Sequence, residues 1–332
     1  MTRNTAEKTE AGTGAQPVVA VRRIRRSKPK EWIARPERST TGAIKFIVWV
    51  ALRLGRRAAR LLLYPICLYF VVFSRKPRRA SSKFLAKVLP KPPTFADAFR
   101  HYHVFAACLL DRVFFLNDQT DEFDIHVHGE EIAVEMMERG KGCLLLGAHM
   151  GSFEAIRTLG RKQPGLRVTL VMYEENARKV NSVLAAINPA LALEVISLGQ
   201  PDSMLRVRGS LDRGDFVGML ADRTLDGEGE IRLPFLGEPA AFALGPFQLA
   251  AMLKRPVVLM VGLYGGGRRY DVHFEQLADF SDVSAPENIG LHKQGPERSA
   301  LVRWAAGRFA DRLQHYARLS PYNWFNFYDF WK

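Results

Sequence analysis

The sequence predicts an α/β protein. We expect a mixed, largely parallel central sheet flanked by helices, with an N-terminal membrane-associated helical segment. Three observations carry this expectation. Cys143–Gly147, Phe216–Leu220 and Val257–Leu263 are short, continuous apolar runs, as strands buried on both faces require. Such runs alternate with stretches of helical periodicity, the pattern of a sheet covered on both sides. The 332-residue chain is 47% hydrophobic with a mean hydropathy of −0.10. That is too apolar for a wholly disordered or collagen-like chain and too polar for a multi-span membrane protein.

The charge is unevenly placed. Residues 1–100 hold 23 Lys and Arg against 5 Asp and Glu, so the net +14 divides into +18 there and −4 in the rest. A basic arm on a mildly acidic body implies an anionic partner, phospholipid or nucleic acid. Residues 1–40 are polar and basic without apolar periodicity and read as a disordered tail. Residues 41–80 read as the membrane-associated segment and 81–332 as the α/β domain. The three cysteines, Cys67, Cys108 and Cys143, are odd in number and far apart. They offer no disulfide framework or zinc spacing, so a reducing compartment is the default.

Within 41–80, Ile44–Leu54 is followed by a basic break, Gly55–Arg60, and then by the apolar run Leu61–Phe73. The second run is shorter than the roughly 20 residues of a bilayer span. Arg53, Arg56, Arg57 and Arg60 sit in the middle of the whole stretch, at about 2.5–3.5 kcal/mol each if placed at bilayer depth. Two short segments dipping into one leaflet, with the arginines at the headgroups, are therefore expected. The apolar run starts too far into the chain for a signal peptide. Basic residues interleaved with aliphatic runs rather than exposed aromatics argue against nucleic acid.

In the body, Thr94 or Asp97 can cap a helix running to Leu116. Phe123–Val127 alternates like a strand, and Glu130–Arg139 reads as a helix closed by Gly140. Further strands are expected at Val168–Met172, Leu193–Ile196 and Tyr270–Phe274. Helices are expected at Glu154–Thr158, Asn176–Ile187, Ser203–Arg213, Ala243–Lys254 and 300–318. Gly265–Gly267 reads as a hairpin turn rather than a phosphate loop, because no helix start follows it.

The chemistry concentrates after the strand 143–147, in Ala148-His149-Met150-Gly151-Ser152-Phe153-Glu154. His149 lies just past the carboxyl end of a buried strand, where open α/β sheets place ligands. Residues five apart lie about 140° apart on a helix, so His149 meets Glu154 only by preceding the helix that Glu154 begins. Gly151 permits the bend. Glu154 would then accept from one imidazole nitrogen and leave the other as a base, the arrangement that activates a hydroxyl for attack on an acyl group. Amides at the helix start could hold an oxyanion or a phosphate. A satisfied polar pair without catalysis is the plainer alternative.

GKGCLLLGAHMGSFEAIR at 140–157 resembles the H-x-x-x-x-(D/E) block of glycerolipid acyltransferases, most nearly that of the bacterial late acyltransferases of lipid A biosynthesis. Residues 127–142, 215–261 and the aromatic tail Pro321–Trp331 are similar to other parts of that family. Two positions depart from it: the family's Asp-Gln pair is Asp222-Arg223 here, and its Asn-Trp is Ser152-Phe153. The resemblance therefore implies the reaction type and leaves the acceptor lipid open.

What it implies is transfer of a fatty acyl chain from an acyl-ACP or acyl-CoA thioester to a hydroxyl of a membrane (glyco)lipid. His149 would be the general base and Glu154 its orienter, with Gly151, Arg157, Asp222 and Arg223 as substrate-binding candidates. It implies no metal or other cofactor, attachment to an anionic membrane surface, and a place at the cytoplasmic side of a bacterial inner membrane. The rival from another class is a non-catalytic membrane adaptor with the same fold. A serine hydrolase lacks its G-x-S-x-G elbow. His101/His103 and His126/His128 could suggest a metal, but no acidic cluster accompanies either pair.

Overall fold

Why Cys143–Gly147 carries no polar residue is answered by its place at the centre of a seven-stranded sheet. In the computed structural model, which describes residues 41–162, 165–173, 195–224, 229–281 and 298–332, both faces of that strand are covered. Leu144 and Leu146 belong to the core on one face, and Cys143 and Leu145 to the core on the other.

The helical stretch α1 (Thr41–Phe73) is broken at Gly55, and α2 (Arg75–Val88) and α3 (Phe95–Leu116) follow. Then come β1 (Asp124–His128), α4 (Glu130–Glu138), β2 (Cys143–Gly147), α5 (Phe153–Lys162), β3 (Val168–Tyr173), β4 (Val195–Leu198), α6 (Ser203–Asp212) and β5 (Phe216–Leu220). The chain continues through β6 (Glu230–Phe235), β7 (Glu238–Ala243), α7 (Gly245–Leu253), β8 (Pro256–Gly266), β9 (Arg269–Asp279) and α8 (Arg298–Leu319). The sheet order is β1-β9-β8-β2-β5-β3-β4. Strands β8, β2, β5, β3 and β4 run parallel; β9 opposes β8, and β1 runs with β9. The expected α/β class, with its mixed and largely parallel sheet, is what the chain adopts.

Most expected elements fall within a few residues of their places. Thr94 caps α3, and the Asp97 side chain returns to the Thr94 amide, completing a capping box. The 1–40 tail and the helix expected at Asn176–Ile187 lie outside the described residues. One helix and one hairpin were not expected. Helix α2 hides in a basic cluster because only one face is apolar, with Phe84 and Leu85 buried. Strands β6 and β7 form a separate antiparallel hairpin whose turn carries Leu236 and Gly237 at positive φ.

The N-terminal segment divides its faces between the body and the outside. Ala59, Leu63, Cys67 and Val71 are buried four residues apart, against α3. Each large apolar side chain so buried contributes about 1.5–3 kcal/mol. The arginines divide as well. The break at Gly55 turns Arg56 inward, where its Nε and Nη2 donate to the two oxygens of the fully buried Asp111, each at 2.7 Å. Tyr270 Oη donates to the same carboxylate at 2.9 Å. Arg60 donates to the Gly267 carbonyl at 2.6 Å and to the Tyr264 hydroxyl. The expected headgroup position therefore fails for Arg56, because a buried carboxylate satisfies it inside the protein, whereas Arg60 is only partly buried. Arg53 and Arg57 are exposed.

Breaking such a buried pair on one side leaves an uncompensated charge and costs about 3–5 kcal/mol. We expect Asp111→Ala to lose that much in denaturant unfolding, and the double variant R56M/D111L to recover most of it.

Candidate active site

Parallel strands in register end at the same level, and that places the chemistry. Gly147 of β2 pairs with Leu220 of β5, and the Ala221 amide donates to the Gly147 carbonyl at 3.0 Å. Two residues beyond each pair member stand His149 and Asp222. The Asp222 carboxylate accepts from His149 twice: its Oδ1 lies 2.8 Å from Nδ1, and its Oδ2 lies 3.0 Å from the backbone nitrogen. A carboxylate only accepts, so Nδ1 carries the proton and Nε2 presents a bare lone pair. The indole Nε1 of Trp324 donates to Asp222 Oδ2 at 3.1 Å, and the carboxylate is 1% exposed.

Burial opposes charge on both partners. It pushes the His149 imidazole below its ordinary range, the nearby Arg223 cation pushes the same way, and Asp222 pulls it back up. Burial alone would raise the Asp222 carboxyl. The charge and hydrogen bond of His149, the Arg223 cation and the Trp324 indole outweigh it and hold Asp222 well below the usual carboxylate range. The pair at neutral pH is thus a neutral imidazole beside a carboxylate. The His149 side chain keeps 32% of its surface accessible, so a reactant can reach it.

The loop between β2 and α5 is pinned by close backbone approach. Gly151 has φ +63°, and a Cβ there would lie 1.9 Å from the Gly262 carbonyl oxygen. A Cβ on Gly262 would lie 2.5 Å from the Ser152 carbonyl oxygen. Gly151 thus serves the packing of the loop on β8. Ser152 caps α5, its Oγ accepting from the Ala155 amide. The amides of His149, Met150, Gly151 and Ser152 all donate to protein acceptors, namely Asp222, Ala148, Asn323 and Gly262. These four amides precede the start of α5, and their hydrogens are already used within the protein.

Glu154 does not meet the imidazole. It starts α5 turned toward α3 and is 3% exposed; Arg112 Nε and Nη2 reach its Oε1 at 2.8 and 2.7 Å. Arg157 Nη1 lies 3.5 Å from its Oε2. The contact expected between His149 and Glu154 is thus replaced by one between His149 and Asp222, because the in-register strand end reaches Nδ1 while Arg112 and Arg157 hold Glu154. Arg223 lies with its guanidinium over the Tyr328 ring, 5.3 Å from the centroid. Arg112 and Trp324 went unnoticed in the sequence as site residues, since both come from segments distant in the chain.

The histidine pairs go to separate partners. His101 is fully buried, bonded to Ser81 Oγ and the Trp324 carbonyl, and burial lowers its pKa to about 4. His103 stacks on Phe99. His126 lies 3.1 Å from Asp124, and His128 stacks on His273. Among the described residues no three His, Cys, Asp or Glu side chains converge as metal ligands would.

The electrostatics fix the sign of the His149 titration. Its midpoint, read by NMR of the ring nitrogens, is expected below 6.5, the ordinary value. Asp222→Asn removes the charge that holds it up, so the midpoint should fall further. Catalysis requiring a neutral imidazole would then be lost only as pH drops below that lowered midpoint.

Comparison with known families gives a match over most of the chain. The family model described as bacterial lipid A biosynthesis acyltransferase matches residues 29–290, a range that contains His149, Glu154, Asp222 and Arg223. No curated protein matches the chain. By that match, the chain belongs to the bacterial lipid A biosynthesis acyltransferase family.

Proposed function

We propose that the protein transfers a fatty acyl chain from a carrier-protein or coenzyme A thioester to a hydroxyl of a membrane lipid, with His149 as the general base. The family supplies acyl transfer in lipid biosynthesis. The observation that supports the base is the bond from His149 Nδ1 to Asp222, which leaves Nε2 free to accept a proton.

In this reading the acceptor hydroxyl gives its proton to Nε2 as its oxygen attacks the thioester carbonyl carbon. The tetrahedral intermediate collapses, the C–S bond breaks, and the thiolate takes the proton back from Nε2. An ester and a free thiol result, and His149 returns to its starting state. Asp222 holds the tautomer and stabilises the imidazolium in between, the part first expected of Glu154. Glu154 instead clamps α3 to α5 through Arg112. Arg223, beside Asp222, is assigned to a phosphate on donor or acceptor. Arg157, engaged by Glu154, is the weaker candidate. The scheme draws on no cofactor.

Attachment to the cytoplasmic face of a bacterial inner membrane belongs to the same proposal. Leu61, Leu68, Tyr69, Val72 and Phe73 are exposed on α1, away from the face buried against α3. Arg75, Lys76 and Arg79 follow them, suited to anionic headgroups. No single described helix is long and apolar enough to cross a membrane, and α1 meets α2 at a 95° bend. The bend supports re-entrant seating in one leaflet.

Two measurements test these statements. Lipid mass spectrometry on a host expressing the wild type, His149→Ala or an empty vector should show a lipid that gains an acyl chain with the wild type alone. The same new lipid with His149→Ala would remove the base. In flotation with vesicles of phosphatidylethanolamine and phosphatidylglycerol, the triple variant L61S/L68S/F73S should bind at least about tenfold more weakly. Unchanged binding would remove the α1 stripe as the anchor.

A further inference from the structure

The C-terminal segment after α8 is built into the site more tightly than a tail needs to be. The Phe325 amide donates to the His149 carbonyl at 2.8 Å, and the Gly151 amide donates to the Asn323 carbonyl at 2.9 Å. The residues on either side of Trp324 therefore bind those on either side of Met150, and Met150 and Trp324 form an antiparallel bridge. The buried Asn323 side chain bonds both the amide and the carbonyl of Tyr264, at 2.7 and 3.1 Å, fixing this segment to β8. His101 of α3 reaches the Trp324 carbonyl at 2.9 Å.

Three separate elements thus fix Asn323, Trp324 and Phe325 together. The Trp324 ring is held edge-on by Phe84, Phe235 and Phe330, with centroids 4.9, 5.3 and 4.9 Å away. The only polar atom of the Trp324 side chain is the indole nitrogen, and it donates to Asp222 Oδ2. That oxygen also accepts from the His149 amide, while Oδ1 faces the imidazole. With both donors in place the carboxylate plane has one orientation. Without the indole, the His149 amide alone among the described residues would hold Oδ2.

We propose that Trp324 is a positioning residue for the reaction: its indole N–H locks the Asp222 carboxylate so that Oδ1 keeps His149 in the Nδ1–H tautomer. This rests on His149 acting as the base. It adds a residue from outside the family match, which ends at 290.

Trp324→Phe is the test, because it keeps an aromatic ring among the three phenylalanines and removes only the donor. The ring-nitrogen NMR shifts of His149 should report one tautomer in the full-length wild type and a mixture in Trp324→Phe. Thiol release from dodecanoyl and hexadecanoyl carrier-protein thioesters, with a total membrane lipid extract as acceptor, gives the rates. There kcat should fall about 10–100-fold, with KM and the melting temperature close to wild type.

A single tautomer and a wild-type kcat in Trp324→Phe would overturn the proposal, and so would a loss of kcat matched by a lowered melting temperature with the tautomer unchanged. His149→Ala in the same assay separates the two levels. If His149→Ala retains the wild-type rate, the base assignment fails and the Trp324 role falls with it. If His149→Ala is inactive while Trp324→Phe matches the wild type, the Trp324 role alone fails.

Discussion

The hydrogen bond between His149 and Asp222 exists because two neighbouring parallel strands stop at the same level. Everything around it preserves that coincidence. Buried β2 and β5 fix the register, the contact of Gly151 with Gly262 seats the loop on β8, and the C-terminal segment binds the loop from the far side. Buried charge is costly in such a place unless it is paired. Asp222 stays ionised because every group that reaches it is a donor or carries positive charge. The result is an imidazole held neutral with one nitrogen committed and the other open.

The second constraint is how the N-terminal segment joins the body. A helix that presents Leu61, Leu68 and Phe73 outward must keep its other face satisfied, and it does so with small and medium apolar residues against α3. The break at Gly55 allows Arg56 to leave the helix line and enter the core, where the Asp111 carboxylate, itself held by Tyr270, receives it. Asp111 and Arg112 are neighbours on α3, so adjacent residues of one helix hold the N-terminal segment and the start of α5. The N-terminal segment and the candidate active site are therefore connected through α3.

Much of this was legible in the sequence. The continuous apolar runs at Cys143–Gly147 and Phe216–Leu220 read correctly as doubly buried strands, and Gly147 to Glu154 pointed to the end of one of them. Asp222 and Arg223 were marked, but as substrate contacts. What could not be read was the pairing: Glu154 is near His149 in sequence, whereas Asp222 is near it only through strand register. Arg112, 42 residues before Glu154, left no local signal, and Trp324, 102 residues after Asp222, stood out only as part of the aromatic tail, not as a partner of the site. The arginines of the Gly55–Arg60 break could be counted but not assigned, because Arg56 and Arg57 differ only in which of them faces the core. Helix α2 and the β6–β7 hairpin escaped because charge hid the periodicity of one and a proline and a turn shortened the pattern of the other.

The claim at the centre of this account is that Asp222 orients the base. The most direct measurement is the acyl-transfer rate of Asp222→Asn beside its melting temperature. An asparagine keeps the shape but can leave the imidazole in the wrong tautomer, so the rate should fall by two to four orders of magnitude, about the range seen when such an orienter is neutralised, while the fold persists. A folded Asp222→Asn protein working at the wild-type rate would contradict the account.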